Sequence, residues 1–253
     1  MQLQFASASL VTLLLVSARI LAWTMVAPPL ATGGLPKPVK VMLSVALGLA
    51  VVPVAQAHAP AAEFLPVAGS LLQQVLVGAA LGFVTRLVFA AVETAGGLLD
   101  LFGGFSLSAA YDPLSTTMTS IYGRFYALLA TTLIFATDAH LLIFQGFLRT
   151  FASIPLDGQL SLGRLDRVIS GGLTELFIAA LQIAGPLIVV LFIADLALGV
   201  LNRIAPQLNA FSMSFPIKIG LTLLLVGTGF TLMPGVITQL ATHANQLIGA
   251  VTG

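Results

Sequence analysis

The chain of 253 residues contains no cysteine. This absence excludes disulfide bonds, metal sites built on thiolates and a cysteine nucleophile. Charge is also scarce, because only 8% of the residues are charged, against about 25% in ordinary soluble domains. The net charge of +1 gives no large electrostatic field that would attract nucleic acid or an acidic substrate, so we expect no nucleic-acid partner.

Apolar residues make up most of what remains. They account for 58% of the chain, and the mean hydropathy is +1.07. A soluble protein of this composition could not cover its surface with polar groups, so we predict an all-α integral membrane protein that faces lipid or partner subunits. A membrane-spanning helix needs about 20 mostly apolar residues. Six segments of this kind occur, at residues 7–27, 41–57, 67–92, 125–147, 176–201 and 219–240.

The first apolar segment differs from a cleavable signal peptide. It lacks a basic start, because its first charge is Arg19, and it continues to Pro28. We therefore expect a retained membrane segment that ends at Pro28 and Pro29, since proline cannot continue a helical hydrogen-bond ladder. Polar loops are predicted at residues 93–122 and 149–172. No internal repeat divides the chain, so a single domain over residues 1–253 is predicted.

Four charged residues lie inside or at the ends of the apolar segments. Each would cost about 2.5–3.5 kcal/mol at the bilayer centre on insertion scales, so such residues usually face protein or water. They could line an ion path, or they could reach the interface and pair with neighbours. Their spacing contains no paired-carboxylate pattern. The four are Arg19, Arg86, Asp138 and Asp195.

Sequence signatures of enzymes are missing. The chain has no GxxxxGK[ST] phosphate loop, no HExxH and no GxSxG motif. Its three histidines are far apart, and a lone histidine is more often structural than a ligand. We therefore predict no catalytic residue, no metal ligand and no cofactor. The GxxxG match at Gly78 and Gly82 instead predicts close packing of a second helix.

Two segments are the candidates for function. The first is nearly uncharged, begins with two glycines and ends at a proline. It suits a backbone that must move or adapt to irregular surroundings, although an ordinary interfacial loop would look the same. It consists of Gly103, Gly104, Phe105, Ser106, Leu107, Ser108, Ala109, Ala110, Tyr111, Asp112 and Pro113.

The second candidate segment separates two long apolar runs and concentrates polar side chains. Its two prolines are expected to break helices, and its amides can satisfy the freed backbone groups. We predict a structured turn that packs against a partner subunit. Its characteristic residues are Asn202, Arg203, Pro206, Gln207, Asn209, Phe215, Pro216 and Lys218.

This second segment, with the sequence LALGVLNRIAPQLNAFSMSFPIKI, resembles the signature of the FliR family of flagellar export-gate proteins, which is shared with type III injectisomes. The resemblance extends over the whole chain. It includes LPKPVK at residues 35–40, QQVLVGAALGF at 73–83, VFAAVETAG at 88–96 and the stretch 104–113 that ends in Tyr-Asp-Pro.

The resemblance implies a pore-forming cone assembled with the subunits FliP and FliQ in the bacterial inner membrane, within the flagellar basal body. It further implies contact with the switch protein FlhB, proximity to FlhA, unfolded flagellar proteins as cargo, and membrane lipid around part of the surface. In this family the segment that matches residues 103–113 projects into the pore as part of a plug. Hydropathy-predicted helices of the family also need not be simple bilayer spans.

Three alternatives remain open at the level of sequence. An injectisome gate subunit is one, because Ser214 stands where flagellar members often carry glycine. A small-molecule or ion transporter is the second, and it would use the four charges in the apolar segments. An intramembrane enzyme is the third, although no catalytic pair is apparent.

Overall fold

The computed structural model describes residues 2–31, 35–58, 60, 63–105, 120–158, 160–205, 207 and 210–252. Across these ranges the chain forms α-helices and one short 3-10 helix, Gln56–His58, with no β-strand. This confirms the all-α prediction. The helices are α1 (Gln2–Val26), α2 (Lys37–Ala55), α3 (Phe64–Gly103), α4 (Ile121–Ala136), α5 (Ala139–Ser153), α6 (Leu162–Ile204), α7 (Ala210–Gly229) and α8 (Met233–Thr252).

Among the described residues, four helices are long and apolar enough to cross a membrane, namely α1, α2, α3 and α6. Two bent pairs, α4 with α5 and α7 with α8, raise the number to six if each pair counts as one span. The prediction of about six hydrophobic segments is confirmed in this sense. The end of α1 at Val26, just before Pro28, also agrees with the expected stop.

Both predicted loops are shorter than predicted among the described residues, and residues 106–119 of the first loop lie outside them. Helix α3 continues through Gly96 and Gly97 to Gly103, and α6 already begins at Leu162. The polar residues Arg164 and Asp166 did not signal a loop, because they are exposed on the first turns of α6. A helix end outside the apolar layer carries such side chains at no cost in desolvation.

Two predicted single spans are each a pair of helices. Within residues 125–147 the chain bends by 81° between α4 and α5. Asp138 lies at this bend in the left-handed region with φ 56°, a conformation that short polar residues tolerate better than apolar ones. The second bend, of 65°, separates α7 from α8.

The described helices group into two compact units, and the prediction of a single domain stays a prediction. The first unit consists of Met1–Val88, Ile134–Leu173 and Thr238–Gly253. Its core contains the fully buried Trp23 of α1, whose ring stacks on Phe147 of α5 with centroids 4.4 Å apart. A Cβ on Gly82 would lie 3.0 Å from the Cβ of Val26, which confirms that the GxxxG segment of α3 packs closely, with α1 as its neighbour.

The second unit consists of Phe89–Leu133 and Thr174–Ile237. Within it, α3 and α4 pack so closely that a Cβ on Gly96 would overlap the carbonyl oxygen of Tyr122. The glycine pair that suggested a loop is therefore part of a helix, and its first member, Gly96, lies in a contact that admits no side chain. Tyr122 and Tyr126 of α4 are buried in this unit together with Leu99 of α3.

Candidate functional site

The first candidate segment starts at the end of α3. Helix α3 ends at Gly103, and Gly104 follows with φ +84°, a left-handed conformation that favours glycine. A Cβ on Gly103 would lie 2.9 Å from Oγ1 of Thr222, and one on Gly104 would lie 3.6 Å from the ring of Phe215. The two glycines thus allow the end of α3 to lie directly against α7.

Only the beginning of the predicted plug belongs to the described residues. Gly103, Gly104 and Phe105 are described, whereas the predicted residues Ser106 to Pro113 lie outside the described ranges. The description resumes at Ser120, one residue before α4. The described part of this site therefore consists of its two ends.

The returning end is held by side chains that cap α4. The hydroxyl of Ser120 accepts a hydrogen bond from the backbone N–H of Gly123 at 2.8 Å, which is the usual contact of a helix N-cap serine. The carboxylate of Asp100 accepts from the backbone N–H of Tyr122, with its two oxygens at 3.1 and 3.2 Å. The Ser120 hydroxyl in turn donates to the same carboxylate.

Asp100 was not among the residues singled out from the sequence. It lies in the last turns of α3 and is 5% exposed. A usable signal was present, because Asp100 is an acidic residue in an otherwise apolar stretch directly before the glycine pair. Its partners, Ser120 and Tyr122, stand about twenty positions later, at a distance that periodicity does not reveal.

The described residues of the second candidate segment lie in two helices and in the turn between them. Asn202 and Arg203 are exposed in the last turn of α6, and Gln207 is also exposed. The predicted residues Pro206 and Asn209 lie outside the described ranges. Phe215, Pro216 and Lys218 belong to α7.

Pro216 does not break a helix, contrary to the prediction, because it lies inside α7. The fixed φ of proline is compatible with a helix, and one lost hydrogen bond is tolerated in apolar helices whose neighbours satisfy the freed carbonyl. Lys218, two residues after Pro216, forms an ion pair with Asp195 of α6, with Nζ 2.7 Å from Oδ1. This pair connects α6 and α7 within the second unit.

The four charged residues of the apolar segments differ in exposure and in their partners. Arg86 and Asp138 are exposed, and Asp195 pairs with Lys218. Arg19 is fully buried and donates to the side chain of Gln74 and to the carbonyls of Thr150 and Ile154. The ion path that one interpretation suggested stays a prediction.

Comparison with known proteins agrees with these features. The model of the family "Bacterial export proteins, family 1" matches residues 10–244. The chain is 32% identical over 234 residues to the flagellar biosynthetic protein FliR of Escherichia coli K12, which covers 92% of this chain and 87% of that protein. It is 31% identical over 157 residues to FliR of Bacillus subtilis, covering 61% of each.

A protein of a second kind is also similar. The surface presentation of antigens protein SpaR of Shigella flexneri is 31% identical over 148 residues, which cover 58% of this chain and 57% of that protein. The apolar all-helical architecture, the glycine-rich end of α3 and the match over nearly the whole length lead to one conclusion: the chain belongs to the FliR-type family of bacterial export proteins.

Proposed function

We propose that this protein is a core component of the flagellar type III protein export gate and that, with FliP and FliQ, it forms a channel for unfolded flagellar proteins. The observation that carries the proposal is the match to a flagellar biosynthetic protein over 92% of the chain. The proposed location is the inner membrane within the flagellar basal body, with FlhB and FlhA as further neighbours.

The lengths of two helices support an assembly with partner subunits. With 40 and 43 residues, α3 and α6 extend over about 60 and 65 Å at 1.5 Å per residue. The hydrocarbon core of a bilayer is only about 30 Å thick. Each helix is therefore longer than a simple span requires, and an apolar helix outside lipid needs protein to cover it.

The surface of α6 supports the same proposal. In the most apolar stretch of 18 residues in this helix, only 22% is buried within the chain. Large apolar side chains remain exposed along its length, among them Phe177, Leu181 and Phe192. Contiguous exposed apolar surface of this kind marks contact with other proteins or with lipid.

Within the gate, we assign residues 103–113 to the plug that closes the channel. The support is the small-residue composition of this stretch, in which Asp112 is the one charged residue, and the anchoring of its described start against α7. An uncharged, deformable segment can seal a pore against ions and yield to a passing polypeptide. In this proposal the helices form the frame, and the segment between α3 and α4 forms the barrier.

The plug is tested by deleting residues 106–110 from the chain in the assembled complex. We expect the complex to form and to conduct small ions several-fold better than the complex with the unaltered chain, measured in planar bilayers. Assembly is checked by co-purification of FliP and FliQ. An assembled deletion variant with unchanged conductance would contradict the plug assignment.

An injectisome gate is the second candidate, favoured by the similarity to SpaR. The two functions differ in cargo. Removal of the gene from its own host should abolish secretion of hook and filament proteins and motility, and the intact gene should restore both. Normal motility together with lost secretion of injectisome substrates would assign the chain to the injectisome instead.

A further inference from the structure

Helix α2 has two different faces. It packs on α1 and α5 of the first unit, and its buried residues are Lys40, Ser44, Gly48, Val51 and Ala55. The opposite face, which we call the outer face of α2, is apolar and exposed. The exposed fractions are 72% at Met42, 60% at Leu49 and 62% at Val54. An apolar face of this extent marks contact with another molecule.

The length of α2 matches the thickness of a bilayer. Its 19 residues extend over about 28 Å at 1.5 Å per residue, and the hydrocarbon core is about 30 Å thick. No charged residue occurs from Val41 to Ala57. Unlike α3 and α6, α2 is no longer than a simple span requires. The outer face therefore has the length and the composition of a surface that contacts acyl chains.

Both charges of α2 lie at its beginning. Lys37 is the first residue of the helix and is exposed. Lys40 follows three positions later, so the two residues are neighbours on the helix surface. The other end of the helix, at Ala55, carries no charge. An apolar face with cations at one end is complementary to an anionic phospholipid, whose charged head group lies above apolar chains.

Lys40 is buried without a counter-charge. It is 6% exposed, and the ion pair that the described residues form joins Lys218 to Asp195 instead. Across the same residues, the polar atoms that are buried without a partner are Oγ of Ser17 and Nε1 of Trp23. The ammonium of Lys40 is not among them and no acceptor holds it, so it reaches the surface while its apolar stem is packed inside. A cation in apolar surroundings is costly unless an anion pairs with it.

We propose that the outer face of α2, together with Lys37 and Lys40, binds an anionic phospholipid. The two ammonium groups donate to the phosphate oxygens, as lysines commonly do, and the acyl chains lie along Met42 and Leu49. An acid on a partner subunit would also pair with the lysines, but the uninterrupted apolar face of bilayer length favours a lipid. The inference goes beyond the proposed function, because it presumes neither a channel nor a cargo.

The experiment uses the complete complex, purified from the host membrane through a tag on this chain and depleted of lipid in detergent. Dioleoyl-phosphatidylglycerol and dioleoyl-phosphatidylcholine are then titrated, and the bound lipid is measured by native mass spectrometry. The two lipids share their acyl chains and a phosphate but differ in net charge. We expect tighter binding of the phosphatidylglycerol. Equal affinities of the unaltered complex for both lipids would overturn the proposal.

The double variant Lys37→Gln with Lys40→Gln tests the head-group contact. Each lysine near an anionic lipid contributes about fivefold in affinity, so we expect about 25-fold weaker binding of phosphatidylglycerol and little change for phosphatidylcholine. The matched control is Arg164→Gln with Arg167→Gln, which removes two exposed cations from the same unit. An equal loss in the control would reduce the effect to net charge and would contradict a site at α2.

Two further measurements separate the lipid from other ligands. Leu49→Ser, on the outer face, should weaken the binding of both lipids alike, and excess inorganic phosphate should not displace phosphatidylglycerol. Displacement by phosphate would indicate a site for a free anion and overturn the lipid site. If the double variant does not assemble, Lys37→Gln alone decides, because Lys37 is exposed and its loss leaves the packing intact. Unchanged affinity for phosphatidylglycerol in Lys37→Gln would contradict the proposal.

Discussion

At the scale of single residues, Arg19 is a buried cation whose observed partners are neutral. It donates to Gln74, to the carbonyl of Thr150 at 3.4 Å and to the carbonyl of Ile154 at 2.9 Å. Its guanidinium carbon also lies 4.4 Å from the centroid of the Phe151 ring. Both carbonyls lie at the C-terminal end of α5. Thr150 is in its last turn, where its oxygen also accepts from the N–H of Ile154, and Ile154 is the residue that follows the helix. Arg19 thus completes a helix terminus from a distant part of the chain.

Replacement of Arg19 by glutamine is expected to destabilise the protein by about 1–3 kcal/mol, because the buried side-chain oxygen of Gln74 and the carbonyl of Ile154 lose the guanidinium donor. The measurement is the midpoint of thermal unfolding of the complete complex with FliP and FliQ in detergent. Arg86→Gln is the control, since Arg86 is an exposed arginine in another apolar segment. Equal midpoints for Arg19→Gln and the unaltered protein would contradict the role assigned to Arg19.

The sequence identified Arg19 as unusual but could not identify what it binds. The acceptors on Gln74, Thr150 and Ile154 are separated from it by 55, 131 and 135 positions. A charge in an apolar segment signals that some compensation exists, because an uncompensated buried charge is too costly. The identity of the compensating groups is a property of tertiary packing, and local patterns do not carry it.

At the scale of elements, glycines allow α3 to approach its neighbours. A Cβ on Gly78 would overlap the carbonyl oxygen of Arg19 in α1, whereas a Cβ on Gly69, in the same helix, would meet nothing within 4 Å. Gly78→Ala should therefore lower the thermal midpoint, while Gly69→Ala should leave it unchanged or raise it, since alanine favours a helix over glycine by up to about 1 kcal/mol. A higher midpoint for Gly78→Ala than for Gly69→Ala would contradict this account.

The ion pair between α6 and α7 makes a second prediction at this scale. Lys218→Glu places two carboxylates at the position where Lys218 and Asp195 now meet at 2.7 Å. We expect less co-purified FliP and FliQ, and partial recovery in the double variant Asp195→Lys with Lys218→Glu, where opposite charges face each other again. Arg203→Glu should also reduce assembly, because Arg203 lies in the last turn of α6, where a negative charge is unfavourable.

Asp195→Lys should not repair Arg203→Glu, since the structure pairs Asp195 with Lys218. This asymmetry separates a specific ion pair from a general effect of net charge. Full assembly of Lys218→Glu would show that the pair contributes nothing to packing.

The elements themselves were predictable to different degrees. Hydropathy located the apolar cores of α1, α2, α3 and α6 because burial in lipid or protein demands apolar side chains on most faces. The segments predicted from hydropathy, 67–92 and 176–201, are shorter than the helices α3 and α6 that contain them. Gly96 suggested a loop because glycine disfavours isolated helices, whereas here it permits contact with Tyr122, a gain that only the neighbouring helix supplies.

The start of the candidate site could be predicted from the sequence, but the side chains that hold its far end could not. Gly103 and Gly104 marked where α3 ends, and the positive φ of Gly104 explains why glycine stands there. Asp100 escaped notice, because one acid near the end of an apolar run has no meaning until Ser120 and Tyr122 are placed beside it.

At the scale of the whole molecule, the chain leaves much apolar surface uncovered. Exposed large apolar side chains occur on every membrane-length helix described, including Leu14 of α1, Leu49 of α2, Leu76 of α3 and Phe192 of α6. The proposed function assigns part of this surface to lipid and part to FliP and FliQ. The proposed function therefore requires that the chain works as one subunit of a larger channel.

This requirement is tested by co-expression of the tagged chain with FliP and FliQ of its own host, followed by purification in mild detergent and native mass measurement. We expect one stable complex containing all three subunits, and little well-behaved protein when the chain is expressed alone. A monodisperse single chain that binds neither partner and transports a solute by itself would contradict it.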